Sequence, residues 1–309
     1  MDPKPPKVSI GLPVYNGMRY IEEVLDSILA QSFTDFELVI LDNASTDKTP
    51  DICKRYAERD DRIRYYRNDT NLGAMQNFNN VFRLCRGEYF KWVAHDDIYK
   101  PTYLEKCVAA LDKDPGVVLS HCRTTRIDED GNIVGNYDVE IPVNSPNPAD
   151  RFYYLIGTNH PCYLIFGLVR SEILRQTPLF GDYKATDRAL LALLGLLGRF
   201  YEVPEYLFLN REHPDQSRQY CDRPEQYYNW WNTAKTRRVV FPGWRLMWAY
   251  LACIVKAPIS FRDRVACLLA IAKRMRQKYQ IGGIMARDIT RACRHYLHLP
   301  NSKPQPGND

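Results

Sequence analysis

The sequence predicts an α/β fold: a mostly parallel, doubly wound sheet flanked by helices, followed by a helical, basic C-terminal region. Three observations carry that expectation. Short apolar runs of strand length alternate with segments of helical period through the first half. One of those runs, FELVIL at 36–41, is apolar without a break, as a strand buried on both faces must be. Polar residues then collect just past the ends of the first, second and fourth runs, where open sheets of this kind hold ligands.

Taken in order, Val8 to Leu12 reads as a strand broken by Pro13. A helix over Tyr20–Gln31 follows, with Ile21, Val24, Leu25, Ile28 and Leu29 on one face. The second strand ends at Asp42, and the turn NASTD leads into a helix from Thr49 to Glu58. Ile63 to Tyr66 is a third strand, Gly73 to Leu84 a helix, and EYFKWVA at 88–94 a fourth strand that stops at His95-Asp96-Asp97. Pro101 opens another helix, a position where proline's missing N–H costs nothing. Val117 to Arg126 is a fifth strand, turned back at Asp128-Glu129-Asp130-Gly131 into Ile133-Val134. Segment 141–160, rich in Pro and Asn, reads as a loop, Leu164 to Val169 as a strand, and TDRALLALLGLL at 186–197 as a buried helix. Two short strands, Phe200–Val203 and Leu207–Asn210, flank Pro204.

With 309 residues, 45% hydrophobic and 26% charged, the chain has ample material for a buried core and is neither disordered nor fibrous. Its nine cysteines form no CxxC pair and no metal-ligand cadence, so they read as buried small hydrophobes in a reducing cytosol. The opening MDPKPPKVSI lacks the apolar core of a secretion signal. The expected location is therefore cytoplasmic.

Charge is unevenly spread. Between Lys235 and His298 stand fourteen Lys and Arg against two acids, Asp263 and Asp288, while the remainder is net acidic. The longest uncharged apolar run, Leu246–Val255, is too short to cross a bilayer. Arg262 to Tyr279 reads as a basic amphipathic helix with Val265, Leu268, Leu269, Ala272 and Met275 on one face. The expectation divides the chain into residues 1–225 and a basic helical region 226–309. That second region is a foot on the inner face of the cell membrane, or else a solvated face or a contact between copies of the chain.

The ordered set VSIGLPVYNG (8–17), LVILDNASTDKT (38–49), NLGAMQNFN (71–79), GEYFKWVAHDD (87–97) and TDRALLALLGLLGRFYEVPEYLFLNREHPDQS (186–217) resembles family 2 glycosyltransferases of the GT-A, Rossmann-like fold, over roughly residues 7–215. The resemblance implies an inverting, metal-dependent transfer of one sugar from a nucleotide carrier to a hydroxyl. A UDP-sugar is the first expected donor, ahead of dTDP- and GDP-sugars, and the acceptor is a growing or lipid-linked glycan. Mn²⁺ or Mg²⁺ is the implied cofactor.

The resemblance also implies roles. Asp42 holds the nucleobase through its ring N–H, a task that suits an acceptor-only carboxylate; the competing reading makes it a helix cap. Pro13, Tyr15 and Asn16 lie beside base and ribose. Gly73 and Asn77 line the diphosphate region, where a small residue permits close approach. Asp96 reaches the ribose and Asp97 ligates the cation, since a diphosphate leaving group needs a hard cation held by one or two carboxylates. Many members read DxDD here; this chain has Ala94-His95-Asp96-Asp97 and lacks the first acid. Asp187 is the general base, or alternatively a helix cap paired with Arg188 or Arg211. His213 closes over the diphosphate and joins the metal ligands.

Other classes fit less well. A nucleotidyltransferase that makes nucleotide sugars would carry a Gly-rich, cationic loop after the first strand, and GLPVYNG is not one. A dehydrogenase would carry GxGxxG there. A nucleic-acid-binding module explains the basic tail but not the strand-end acids, which repel phosphate unless a cation intervenes, so nucleic acid is not an expected partner.

Overall fold

The computed structural model describes residues 4–138, 141–157, 162–214, 216, 227, 230–233, 241–276 and scattered positions between 283 and 290. Among these a nine-stranded sheet runs in the order β3-β2-β1-β4-β8-β6-β9-β5, with β7 added to β6. Its first half is parallel: β3 (Ile63–Arg67), β2 (Phe36–Asp42), β1 (Val8–Val14) and β4 (Tyr89–Trp92). Its second half is mixed: β8 (Leu168–Arg170) is antiparallel to both β4 and β6 (Val117–Ile127), while β9 (Arg199–Arg211) is parallel to β6. The two-residue β5 (Ile98–Tyr99) pairs with β9, and β7 (Ile133–Tyr137) forms the expected hairpin with β6.

Every residue of β1 and of β2 is buried, because helices cover both faces. Helix α1 (Ile21–Leu29) buries Ile21, Val24, Leu25 and Ile28, the 3.6-residue stripe seen in the sequence. Helices α2 (Thr49–Ala57) and α4 (Tyr103–Lys113) share its core. Helix α3 (Ala74–Leu84) joins α5 (Pro148–Gly157) and α7 (Thr186–Leu197) in the other. That second core continues without a break into α8 (Pro242–Lys256) and α9 (Phe261–Arg276), whose buried residues pack against α7 and α5.

Four local expectations are corrected. β1 does not stop at Pro13 but runs to Val14, in register with Asp42. Along β1 the residues alternate between neighbours: Val14 O receives the Asn43 amide, whereas Gly11 O receives Val93 N on the β4 side. Pro13 therefore turns its missing N–H toward β4, which has already ended at Trp92, and no ladder bond is lost. Segment 141–160 contains the helix α5, in which Ala149, Phe152, Leu155 and Ile156 reach the core. Leu164–Val169 is mostly a 3₁₀ turn, Tyr163–Phe166, before the short β8, and the five-residue α6 (Ser171–Arg175) follows. The strands around Pro204 are one strand. The β6 register jumps there from Cys122 opposite Val203 to Arg123 opposite Tyr206, so a bulge absorbs the proline.

Seven of the cysteines are described, and all seven are buried and outside any disulfide; Cys221 and Cys293 lie outside the described residues. The 277–279 end of the predicted C-terminal helix also lies outside them.

Candidate active site

The C-terminal ends of β1, β2 and β4 meet at one sheet edge, and the loops leaving β1 and β2 are fastened to each other. Asn16 N donates to Ser45 Oγ at 2.9 Å, Thr46 N to Asn16 Oδ1 at 2.8 Å, and Gly17 N to Thr49 Oγ1 at 2.9 Å. Both loops carry a non-glycine residue in the left-handed region, Asn16 at φ 51° and Ala44 at φ 61°. Asparagine tolerates that conformation, whereas for alanine it is strained. Gly17 lets the His95 ring pack against the β1 loop: a Cβ there would come within 2.9 Å of it. Tyr15 stands 41% exposed on this edge.

Asp42, at the end of β2, is fully buried, and its carboxylate is already engaged. Oδ1 accepts the Ser45 amide at 2.9 Å, Oδ2 accepts Tyr65 Oη at 3.0 Å, and Arg67 Nε lies 3.6 Å away. It caps the NAST turn rather than helix α2. Asn77 is likewise buried, donating to Leu41 O and accepting from Asn68. Gly73, at φ 83°, does permit a close approach, but of the chain itself: a Cβ there would meet Trp231 O at 2.8 Å and Thr233 N at 2.9 Å.

The acids after β4 form the centre of the site. Asp96 Oδ2 lies 3.0 Å from His213 Nε2, so the turn after β4 and the end of β9 are joined. Asp97 is 1% exposed; its Oδ1 accepts Asn210 Nδ2 at 2.8 Å and Arg211 N at 3.1 Å. Burial, and then the charge of Asp96, push the Asp97 carboxyl well above the usual carboxylate range. Burial acts on Asp96 in the same sense, but the His213 hydrogen bond and the charges of His95 and His213 outweigh it and hold Asp96 low. One carboxylate is kept ionised beside another that resists ionising.

Arg211 builds the frame. Its buried guanidinium donates to Asp96 O at 3.0 Å and Glu129 O at 3.1 Å, pairs with Glu23, and lies 4.6 Å over the Tyr20 ring. Helix α1, the β6–β7 turn and the acidic turn are thus tied to one side chain. At the opposite end of the sheet, the Glu37 carboxylate is paired with both Arg64 and Arg86.

The donor chemistry fits a hard divalent cation: two carboxylates and an imidazole whose Nδ1 is buried with no hydrogen-bond partner. No group of three or more His, Cys, Asp or Glu is placed to hold a metal ion among the described residues, so a cation here would draw most of its ligands from phosphate oxygens. Asp187, half-buried in the first turn of α7, stands near Cys162, Tyr183 and Tyr250, and its Oδ1 accepts the Arg188 amide at 2.9 Å. Two strained left-handed residues, Cys162 and Ala185, flank it.

The model of Glycosyl transferase family 2 matches residues 9–176, more than half of the chain. The chain belongs to glycosyl transferase family 2. A relative from Rickettsia felis, named an uncharacterized glycosyltransferase, is 35% identical over 188 residues, covering 59% of this chain and 30% of its own length. The chain therefore spans under a third of that relative. Among solved structures, Staphylococcus aureus TarS 1-349 in complex with UDP-GlcNAc superposes with a TM-score of 0.64 at 15% identity, covering 93% of this chain and 81% of that one. The mannosyltransferase PcManGT from Pyrobaculum calidifontis, in complex with GDP-Man and Mn2+, gives 0.51 at 18% identity over 96% and 88% of the two chains. Both likenesses establish the GT-A fold.

Within this family 2 chain, the sequence reading missed Asn210 and Lys91, and it offered Arg211 as a partner of Asp187, whereas Arg211 is bonded to Asp96 O, Asp97 and Glu23. Asn210 and Arg211, the last two residues of β9, hold Asp97 and the Asp96 carbonyl. Lys91 is buried in β4, its Nζ donating to Phe166 O at 2.6 Å and lying 3.8 Å from the Tyr99 ring centroid. The available signals were a lone lysine inside an apolar strand and the polar Asn-Arg pair closing a long one.

Proposed function

We propose that this chain transfers one sugar from a nucleotide-sugar donor, a UDP-sugar before any other, to a hydroxyl of a glycan or lipid-linked acceptor, with inversion at the anomeric carbon. The observation that carries the reading is the joining of Asp96 to His213 beside Asp97, on the edge where parallel strands hold a nucleotide. Family membership and the nucleotide-sugar complexes of the structural neighbours support it.

In this reading Asp97 and His213 hold a Mn²⁺ or Mg²⁺ ion, and Asp96 faces the ribose. A bound cation would neutralise the charge that builds on the departing nucleoside diphosphate. Asp187 takes the acceptor hydroxyl's proton as that oxygen attacks the anomeric carbon, and the bond to the diphosphate oxygen breaks. Tyr15 and Asn16 border the base. The geometry of Asp42 favours a supporting part: its carboxylate holds the turn beneath the base through Ser45. A lipid-linked acceptor makes the enzyme a peripheral protein at the inner face of the cell membrane.

The test is nucleotide release from a panel of UDP-, dTDP- and GDP-sugars, with Mn²⁺ and with EDTA. Turnover of one donor is expected, lost in EDTA and in Asp97→Asn. Undiminished turnover in EDTA would overturn the metal assignment, and failure of every nucleotide sugar to bind would overturn the transferase reading.

A further inference from the structure

Helix α9 carries two apolar stripes, and the fold uses the narrower one. Cys267, Ala270, Ile271 and Arg274 are buried, and α9 packs on α5. The broad stripe legible in the sequence faces outward: Phe261 is 82% exposed and Leu269 65%, with Val265, Leu268 and Met275 also exposed. The positions 261, 265, 268, 272 and 275 recur at helical spacing, so they form one continuous face.

Helix α8 does the same. Leu246, Met247, Tyr250, Cys253 and Ile254 are buried, while Trp244, Trp248 and Val255 point to solvent. The two helices pack on each other across a four-residue turn. That turn is fixed by Arg264, whose guanidinium donates to the carbonyls of Ile254, Val255 and Ala257. Val255 and Phe261 consequently stand at one rigid corner. Exposed Lys256, Arg262, Lys273 and Arg276 border this surface, against a single acid on the two helices, Asp263.

Apolar side chains scattered singly are ordinary on a protein surface; a continuous apolar face edged by cations and tryptophan is how a helix lies in a bilayer interface. We propose that α8 and α9 dock this face flat on a bilayer containing anionic lipid. Charge selects the occupant, because a second copy would set these cations against their own kind whereas anionic headgroups neutralise them. No described helix is long and apolar enough to cross the membrane. The inference deepens the reading of a lipid-linked acceptor, yet its test needs no sugar.

The test is flotation of the full chain with phosphatidylcholine vesicles, with and without about 30% phosphatidylglycerol, at low salt and at about 0.5 M NaCl. Binding is expected only with phosphatidylglycerol and weakens at high salt. The double variant Leu268→Asn, Leu269→Asn and the charge variant Lys256→Glu, Arg262→Glu are each expected to bind at least about tenfold more weakly with unchanged melting temperature. Equal flotation of wild type and variants, or no flotation of wild type, would overturn the proposal. So would a wild-type dimer, seen by sedimentation velocity, that the leucine variant abolishes. Transferase activity that survives loss of flotation, on a soluble acceptor, separates this inference from the catalytic one.

Discussion

Asn210 grips Asp97 by one oxygen only. Its Nδ2 and the Arg211 amide both donate to Oδ1, at 2.8 Å and 3.1 Å, which leaves Oδ2 as the atom available to a ligand. A buried carboxylate that burial drives toward its neutral form is thereby held in one orientation.

Asn210→Leu should accordingly keep the fold but loosen the site. Supporting hydrogen bonds to a metal-ligating carboxylate are worth about 10–100-fold in affinity or activity. The expected outcome is a loss of that size in kcat/KM together with a higher Mn²⁺ concentration for half-maximal turnover. Steady-state kinetics across a Mn²⁺ titration checks it.

Asp187→Asn separates chemistry from binding. A positioned general base contributes about 10²–10⁴-fold, so kcat should fall by that factor while calorimetric affinity for the donor stays unchanged. A variant as fast as wild type would leave Asp187 as a helix-end residue beside Cys162 and Tyr250.

Lys91 predicts a pH dependence of stability. Burial pulls its ammonium down from 10.5 to about 7 in the folded chain, whereas the unfolded lysine keeps its proton up to 10.5. The unfolded state binds more protons between those values, so stability must rise with pH across that window, by about 5 kcal/mol in the limit. Lys91→Met should abolish the slope, and Phe166 O would still accept Tyr103 Oη at 3.1 Å. Urea unfolding at a series of pH values measures it.

Ala44 occupies a left-handed conformation at φ 61°. Ala44→Gly should relieve about 1–2 kcal/mol of strain and return about half as unfolded-chain entropy, a net gain of roughly 0.5–1 kcal/mol. Thermal unfolding at fixed pH is the measurement.

The parallel half of the fold was legible in the sequence because buried strands and amphipathic helices write their periods directly into apolar spacing. The segment Pro148–Gly157 was not, since Pro and Asn before and after it outweigh a short helix whose stability comes from packing Phe152 and Leu155. Acids at strand ends announced themselves. The groups that restrain them did not, because Asn210 reaches Asp97 across 113 positions of sequence and only the pairing of β5 with β9 brings them together. The apolar stripe of α9 legible in the spacing is the outward one; the inward stripe of Cys267, Ala270 and Ile271 is made by packing on α5, which periodicity does not record.

The packing of α7 against the sheet and of α8 against α7 bears on how the chain can be divided. The family-matching segment ends at residue 176, yet Phe180 lies 4.9 Å from Trp92 and 5.6 Å from Phe78, ring centre to ring centre, and the α7 leucines complete the same core. A fragment trimmed to the matching segment would uncover Phe90, Trp92 and Val81 along one wall and should aggregate. Any truncation for biochemical work has to fall C-terminal to α9, whose Cys267, Ala270 and Ile271 belong to the same core.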